Sequence, residues 1–183
     1  MDKPTENLAH TLTDGFVCQG EQSKYRNSHP CSEQSRHLAP TAFVNFLQNH
    51  DQVANHAFGE RISDLTSSEA LREVPAVLLL APMPHLLFMD QEWGSRQPFY
   101  FFCDFQGELA DTIKEGRMRD FADFPKFQDA RLRERMPDPG TEETFRGGSS
   151  DCKQLEHASH QLWFEFHRHL LAAHRDHIVP YLS

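Results

Sequence analysis

The sequence predicts an α/β fold in which short buried strands alternate with helices. Two apolar runs, residues 41–48 and 86–89, have the length and the β-branched or aromatic content of strands covered on both faces, as in a parallel sheet. Each run ends in polar residues, and a helical pattern lies between the two. These observations favour strand–helix units whose polar ends form a site.

The first 93 residues contain the two predicted strands. Residues 1–40 are expected to hold the end of a helix, up to Asp14, followed by a loop rich in Gly, Ser, Asn and Pro. Residues 41–93 are expected to hold both strands and the intervening helix. The second strand is the shorter, with Asp90-Gln91-Glu92-Trp93 at its carboxyl end.

The intervening helix has a recognisable start. Thr66 and Glu69 have the spacing of a capping box, which predicts a helix from Thr66 to about Leu80. Pro75 lies inside this helix, where it removes one backbone hydrogen bond and clashes with the preceding turn. A kink near Val74 is therefore expected.

The second half of the chain is predicted to be a long connection and a terminal helix. The connection, residues 94–152, includes one helix at about 108–124 and the turn Pro137–Gly140. The terminal region, 153–183, is predicted to form an amphipathic helix over about 153–177. Its apolar face is expected to consist of Leu155, Leu162, Phe166, Leu170 and Ala173.

Charge and composition exclude several classes of protein. The net charge is −9, from 27 acidic and 18 basic residues, and no basic block is present to neutralise phosphates, so nucleic acid is not an expected partner. The apolar stretches are shorter than the roughly 20 residues that cross a bilayer, so no membrane association is expected. The cysteines lack a Cys-x-x-Cys pair, which favours reduced thiols in the cytoplasm; they are Cys18, Cys31, Cys103 and Cys152.

Twelve histidines raise the question of a metal site. His160, His167 and His174 repeat every seven residues on one side of the terminal helix. A zinc site needs fixed ligands and a second shell, and no His-Glu-x-x-His motif is present. A solvated flank beside the apolar face is therefore the favoured interpretation, and no metal ligand is predicted.

Polar residues gather where each predicted strand ends. Asn49, His50 and Asp51 follow the first run, and Gln52 and Asn55 come next. Asp51 is either a site carboxylate or a cap of the turn, and His50 is either a hydrogen-bond donor or a core histidine. At the second strand end, Glu92 and Trp93 are the candidates, and the indole either stacks on a ligand or seals the end of the sheet.

The Asn-His-Asp triplet after an apolar run resembles a sequence region of the α-amylase family of glycoside hydrolases, where it ends the seventh barrel strand. The ordered series Phe43–Arg61, Leu86–Gly94, Phe101–Phe105 and Pro137–Phe145 resembles the trehalose-releasing members of that family. The resemblance implies a partial (β/α)8 TIM barrel, with the seventh and eighth strand-helix units and long loops. A whole barrel takes about 250 residues, so residues 1–183 are interpreted as the C-terminal part of such a catalytic barrel.

The resemblance also implies a reaction. The substrate is a maltooligosyltrehalose or related α-glucan, hydrolysed at the α-1,4 bond so that trehalose is released, with no cofactor. Asp51 matches the carboxylate that stabilises the transition state, while Asn49, His50, Gln52, Glu92 and Trp93 match the substrate-binding positions.

Hydrolysis needs two flanking carboxyl groups, and in the family these lie on the fourth and fifth strands. The chain alone is therefore expected to be inactive, and a partner chain carrying the first six strands is expected to complement it. The rival interpretation is a non-catalytic remnant or interaction module of the same origin.

Some residues depart from the family pattern. Asp90 stands where the family commonly has Gly, in a position where the backbone is expected to need φ > 0. Ala54, His56 and His85 stand where Gly, Arg and Pro are usual. The aromatic cluster of Phe99–Phe102 with Phe105 either lines a sugar cleft or packs in the core or as a lid, and packing is the favoured interpretation.

Overall fold

The structure is a computed structural model that describes residues 3–20, 33–122, 124 and 127–182. In these ranges the regular elements are helices. They are α1 (Pro4–Asp14), α2 (His50–Ala54), α3 (Ile62–Leu65), α4 (Ser68–Leu79), α5 (Glu108–Ala122), α6 (Ala130–Arg133), α7 (Glu142–Gly147) and α8 (Ala158–His177). Single 3-10 turns occupy Pro40–Ala42, Gln91–Trp93, Cys152–Glu156 and Val179–Tyr181.

The chain divides into two compact units. Unit 1 consists of Met1–Asn45, Ala76–Leu86 and Leu170–Ser183. Unit 2 consists of Phe46–Pro75 and Leu87–His169. Of the helices in the described ranges, none has the length and apolar character that a bilayer-crossing segment requires.

The two predicted strands do not form in the described part of the chain. Asn45 and His85 instead make one isolated parallel bridge, in which Asn45 N–H donates to the Pro84 carbonyl at 2.9 Å and Leu86 N–H donates to the Asn45 carbonyl at 2.8 Å. The segments thus run in the predicted direction. A longer ladder does not extend from the bridge because Pro84 has no N–H to donate and two strands alone make a marginal sheet.

The prediction that both faces of these segments are covered is also wrong in unit 1. Val44 and Leu86 flank the bridge residues in sequence, and their side chains are 57% and 41% exposed. Only one side of the first segment is packed, where Phe43 is buried with Ala81 and Met83. The missing cover is a consequence of the missing neighbouring strands, since a sheet face is buried only when other elements lie on it.

Unit 1 is built around Phe43. Leu12 of α1 packs against this core, and the Phe16 ring meets the Phe43 ring edge to face at 5.2 Å. Gly15, at φ 86°, ends α1, and a Cβ atom there would lie 2.4 Å from the Phe43 ring. The absence of a side chain at Gly15 therefore lets α1 reach the core.

Helix α4 confirms the predicted intervening helix, with a different cap. It begins at Ser68 and ends at Leu79, and the Ser67 hydroxyl accepts a hydrogen bond from Ala70 N–H at 3.3 Å. The cap is therefore Ser67, not Thr66, because Thr66 directly follows α3 in an extended conformation. The helix continues through Pro75, which is buried. The kink near Val74 stays a prediction.

The long connection contains more helix than the sequence predicts. Helix α5 confirms the predicted element and ends two residues earlier, whereas α6 and α7 fall in the predicted loop. Thr141 caps α7 by accepting from Thr144 N–H at 3.3 Å, and Asp129 caps α6 by accepting from Arg131 N–H at 2.9 Å. Helices of four and six residues are too short to show an apolar period. Their capping residues, Asp129 and Thr141, were the sequence features that could have predicted them.

Helix α8 is present, but two predictions about its faces are wrong. Leu162, assigned to the apolar face, is 70% exposed, whereas His167, assigned to a solvated flank, is 1% exposed. His160 Nδ1 lies 2.8 Å from the Trp93 carbonyl oxygen, and the Trp163 indole N–H donates to the Gln91 carbonyl at 3.1 Å. The packed face is aromatic and histidine-rich because these rings combine apolar area with a nitrogen that can satisfy a backbone carbonyl.

Candidate functional site

His50 and Asp51 are the first two residues of α2, and both side chains point to solvent. The side chains are 70% and 72% exposed, and His50 Nε2 lies 3.3 Å from Asp51 Oδ1. Asn49 caps the helix, since its side-chain oxygen accepts from Gln52 N–H at 2.9 Å. The core-histidine alternative is therefore wrong for His50, and Asn49, not Asp51, is the capping residue.

Asp51 lies at a cavity of about 270 Å³, which we name the Asp51 cavity. Its lining consists of His50, Asp51, Ala54, Asn55 and the run Phe99–Phe102. Asp51 is the single carboxylate in this lining. The predicted binding residues Asn49 and Gln52 are not part of it: Asn49 is engaged in the cap, and Gln52 is exposed beside it.

The wall opposite α2 is an extended aromatic segment, residues 99–102, which we name the aromatic ridge. Phe99 N–H donates to the Gly59 carbonyl at 3.0 Å, and the Phe99 ring meets Phe88 edge to face at 5.2 Å. Gly59 has φ 62°, and a Cβ atom there would lie 2.5 Å from the Phe99 carbonyl oxygen. The ridge therefore packs on the interior of unit 2 and also lines a cavity. Packing and lining a cleft, the two alternatives that the sequence left open, are thus not exclusive.

Arg117 of α5 connects the ridge to α2, a role that no motif in the sequence predicted. Its guanidinium donates to the Ala54 carbonyl at 3.1 Å and lies 4.4 Å from the Phe101 ring centroid. Phe121 is a second ring beneath the same cation, at 5.5 Å. Burial lowers the pKa of Arg117. A cation held by a helix-end carbonyl and two rings fixes α2 against the wall of the Asp51 cavity.

Glu92 and Trp93 are not brought to the Asp51 cavity. Trp93 is 2% exposed, so very little of its indole is available for stacking on a ligand. It lines a different cavity of about 590 Å³, together with Arg72, Arg96 and Trp163. Glu92 lies in the same short turn, Gln91–Trp93, and lines neither cavity.

Asp90 adopts the backbone conformation that the sequence indicated. Its φ is 68°, in the left-handed region, which confirms that a residue standing in place of Gly has to accept φ > 0. Its carboxylate lies 3.5 Å from the guanidinium of Arg61 and accepts a hydrogen bond from the Ser150 hydroxyl. The side chain that replaces Gly thus gains partners which Gly would not have.

Arg61 is the most deeply buried charge in the described part of unit 2, and sequence reasoning noted it only as the end of a matched run. It is 1% exposed and donates to the carbonyls of Met89 at 2.7 Å and Gln97 at 2.5 Å. Burial lowers the pKa of Arg61, and the charge of Asp90 opposes that shift. Arg61 therefore ties the segment after α2 to the two segments that flank the turn at Asp90.

Histidines outside the Asp51 cavity form one close pair in unit 1. The His85 and His174 rings are 4.4 Å apart, and neither ring nitrogen of His85 has a hydrogen-bond partner in the described structure. Burial, and then the charge of His174, lowers the pKa of His85. Three or more potential metal ligands do not cluster anywhere in the described residues.

Comparison with known proteins places the chain beside sugar-processing enzymes. No protein-family model matches it. A malto-oligosyltrehalose trehalohydrolase of Deinococcus radiodurans is 35% identical over 178 residues, which cover 93% of this chain and 28% of the relative. That of Mycobacterium tuberculosis is 31% identical over 90% of this chain and 28% of the relative.

A solved structure extends the similarity to the fold. The crystal structure of a Salmonella typhimurium protein assigned as an alpha-amylase matches 99% of this chain and 30% of its own, with a TM-score of 0.89 and 41% identity. The chain therefore has the fold of the corresponding part of that protein. It spans about 28% of the length of the curated relatives and 30% of the solved one.

Proposed function

The chain is a relative of the malto-oligosyltrehalose trehalohydrolases, and from this premise we propose that it supplies the C-terminal part of the catalytic barrel of such an enzyme. The segments around Asn45 and His85 then correspond to the seventh and eighth strands of a (β/α)8 barrel. Their parallel bridge and the TM-score of 0.89 to the alpha-amylase structure support this assignment. A cytoplasmic location is part of the same proposal.

The proposed reaction is hydrolysis of the α-1,4-glucosidic bond next to the trehalose end of a maltooligosyltrehalose. A retaining mechanism uses one carboxylic acid to protonate the leaving oxygen and one carboxylate to form a glycosyl intermediate, which water then hydrolyses. The Asp51 cavity has a single carboxylate. Acid and nucleophile therefore come from elsewhere, in this proposal from a chain that carries the first six strands.

The observation that carries the proposal is the pairing of Asp51 with His50 at an aromatic cavity. An exposed carboxylate is able to stabilise the positive charge that develops on the sugar ring, and the imidazole is able to hydrogen-bond a sugar hydroxyl. Aromatic walls with a few convergent polar groups are the usual lining of a ligand site. Asp51 acts in this proposal as the transition-state stabiliser.

A second candidate function is that of a non-catalytic remnant or interaction module. Val44 and Leu86, on the two segments joined by the parallel bridge, are exposed in unit 1. Exposed apolar side chains on segments with unpaired edges favour association with another chain. The two candidates make opposite predictions about catalysis in a complemented sample.

The test is an assay of trehalose release from maltooligosyltrehalose. The chain is assayed alone and together with a polypeptide that carries the six preceding strands of the Deinococcus radiodurans relative. We expect activity only in the mixture, and Asp51→Asn is expected to lower it by about 100-fold because the charge that stabilises the transition state is lost. Asp111→Asn, an exposed aspartate of α5, is the matched control and is expected to have no effect.

Turnover by the chain alone would contradict the assignment of the acid and nucleophile to another chain. A complemented activity that is unchanged by Asp51→Asn would contradict the role of Asp51. A folded complex without any trehalose release would favour the non-catalytic candidate.

A further inference from the structure

A second cavity lies on the other side of the aromatic ridge. We name it the Phe145 cavity; its volume is about 430 Å³. Phe99, Tyr100 and Phe102 line this cavity as well as the Asp51 cavity. The remaining lining residues are Met89, Phe145, Gly148, Ser149 and Ser150. The ridge is therefore a wall shared by two cavities of unit 2.

The rim of the Phe145 cavity is unusually apolar for an exposed surface. Met89 is 49% exposed, Phe102 is 45% exposed and Phe145 is 52% exposed. The Phe102 and Phe145 rings meet at 5.0 Å between centroids. Large apolar side chains gathered in one exposed place mark a binding surface, because each costs free energy in contact with water.

The platform formed by Phe102 and Phe145 is held rigidly by its surroundings. Phe145 belongs to α7, whose residue Thr144 donates to the Asp138 carbonyl at 2.6 Å. The following glycines press against the ridge: a Cβ atom at Gly147 would lie 3.1 Å from the Tyr100 ring, and one at Gly148 would lie 3.2 Å from Tyr100 N. A binding surface that is already ordered loses little conformational entropy when a ligand arrives.

The lining also restricts the chemistry of the ligand. It contains no Lys, Arg, His, Asp or Glu side chain, so an ionic ligand would find no counter-charge there. The Tyr100, Ser149 and Ser150 hydroxyls add polar atoms to an otherwise apolar wall. A neutral ligand with apolar faces and hydroxyl edges suits this lining.

We propose that the Phe145 cavity is a second sugar subsite, which holds glucose residues of the same α-glucan chain, more than one residue along the chain from the glucose at Asp51. The Phe145 ring supplies the face on which the apolar face of the sugar packs, the Phe102 ring borders it edge to face, and Tyr100 is a hydrogen-bonding edge. This inference rests on the proposed function, because it requires that one α-glucan chain occupies the Asp51 cavity and the Phe145 cavity at the same time.

The experiment measures sugar binding by the 183-residue chain with isothermal titration calorimetry. Maltose and maltotetraose are the probes, because only the longer sugar is able to reach both cavities. We expect maltotetraose to bind about tenfold more tightly than maltose. Phe145→Ala is expected to abolish this difference and leave maltose affinity unchanged. Phe105→Ala, which removes an exposed phenylalanine that lines neither cavity, is the matched control.

The outcomes for Phe145→Ala and Asp51→Asn separate this inference from the proposed function. If Asp51→Asn weakens both sugars and Phe145→Ala leaves the length dependence intact, the subsite is overturned and sugar binding at Asp51 stands. If only Phe145→Ala acts, the subsite stands, and the trehalose-release assay decides the role of Asp51 in the transition state. If neither sugar binds at millimolar concentration, the subsite is overturned, and the trehalose-release assay decides the proposed function by itself.

Two further measurements keep the result interpretable. Phe145→Tyr preserves the platform and is expected to keep the length dependence, whatever Phe145→Ala does to folding. An apolar peptide is titrated as the competing class of ligand. Binding of the peptide without any preference for the longer sugar would overturn the sugar assignment in favour of a protein ligand.

Discussion

Asp90 shows at the scale of one residue how two opposing energies combine. Its left-handed backbone is unfavourable for a residue with a side chain, by about 1 kcal/mol, and Asp tolerates it better than most. Its carboxylate, however, faces the buried cation of Arg61, and removing one partner of a buried ion pair costs about 3–5 kcal/mol. Because the two charged groups are 3.5 Å apart, which is long for a hydrogen bond, we expect a cost of about 3 kcal/mol.

The prediction is that Asp90→Gly destabilises the chain even though glycine suits the backbone. We expect the free energy of unfolding to fall by about 2 kcal/mol, the difference between the lost ion pair and the relieved strain. Asp90→Asn, which keeps a residue tolerant of φ > 0, isolates the charge. Urea unfolding measures both variants, and an Asp90→Gly variant as stable as the parent would show that the ion pair does no more than offset the backbone strain of about 1 kcal/mol.

His85 makes the stability of unit 1 sensitive to acid. Burial lowers its pKa from the ordinary value of 6.5, and the charge of His174 lowers it further, so the folded state stays neutral while the unfolded state gains a proton. Stability is therefore complete above about pH 6.5 and falls as the pH decreases from there toward the lowered pKa.

The measurement is urea unfolding between about pH 7.5 and 5.5. His85→Leu is expected to reduce the loss of stability over this interval, because a neutral side chain replaces the group that resists protonation. His37→Leu, at an exposed histidine, is the control and is expected to keep the full loss. Equal pH dependence in parent and His85→Leu would assign the effect to other groups, among which His167 also has a pKa lowered by burial.

At the scale of elements, the position of the aromatic ridge depends on Gly59. Gly59→Ala adds a Cβ atom 2.5 Å from the Phe99 backbone and also strains a backbone with φ 62°. Gly107 has nearly the same φ, 63°, but open space around it. The pair therefore separates the cost of backbone strain from that of the close approach.

We expect Gly107→Ala to cost about 1 kcal/mol, the price of the left-handed conformation alone. Gly59→Ala is expected to cost at least about 2 kcal/mol, since the clash is with backbone atoms that cannot rotate away. Urea unfolding gives both values, and aromatic NMR signals report whether the ridge has moved. Equal costs for the two variants would mean that the aromatic ridge moves away from Gly59 without a measurable loss of stability.

Helix α8 illustrates the limit of periodicity at the same scale. Hydropathy favours Leu162 for the packed face, yet the structure packs Trp163 and His167 and exposes Leu162. The carbonyls of Gln91 and Trp93 need hydrogen-bond donors, and Trp163 donates to one while His160 Nδ1 lies within hydrogen-bond distance of the other. Which face of α8 is buried therefore depends on the hydrogen-bonding groups of the surface against which the helix packs.

At the scale of the whole molecule, the exposed apolar side chains of unit 1 have a consequence for association. Val44 and Leu86 lie on segments that a single bridge joins in the described part of the chain, and both side chains are exposed. Segments of this kind pair readily with other chains. The complementing chain of the proposed enzyme is the partner that would cover them.

The prediction is that the chain alone self-associates and that Val44→Lys reduces this association, because an inserted charge opposes pairing at an edge. Val179→Lys places the same charge on another exposed valine and is the control. Sedimentation velocity measures the distribution of species. A monomeric parent chain, or equal association in both variants, would contradict the assignment of this surface.

The sequence by itself determined the similarity to the trehalohydrolases, the existence of α4, α5 and α8, and the positive φ at Asp90. These features are local: a motif, a helical period or a residue type at a turn is visible in a short window of sequence. The residues alone left two alternatives for His50, a hydrogen-bond donor at a site or a core histidine. The resemblance to the glycoside hydrolases favoured the first.

Only the tertiary structure decided which side of α8 is packed, that Arg117 and Arg61 hold the site-bearing segments, and that the aromatic ridge separates two cavities. Each of these depends on groups far apart in sequence, such as Arg117 and the Ala54 carbonyl or Phe102 and Phe145. It also decided that the predicted strands remain a single bridge, because a strand is stabilised by neighbours and not by its own residues alone.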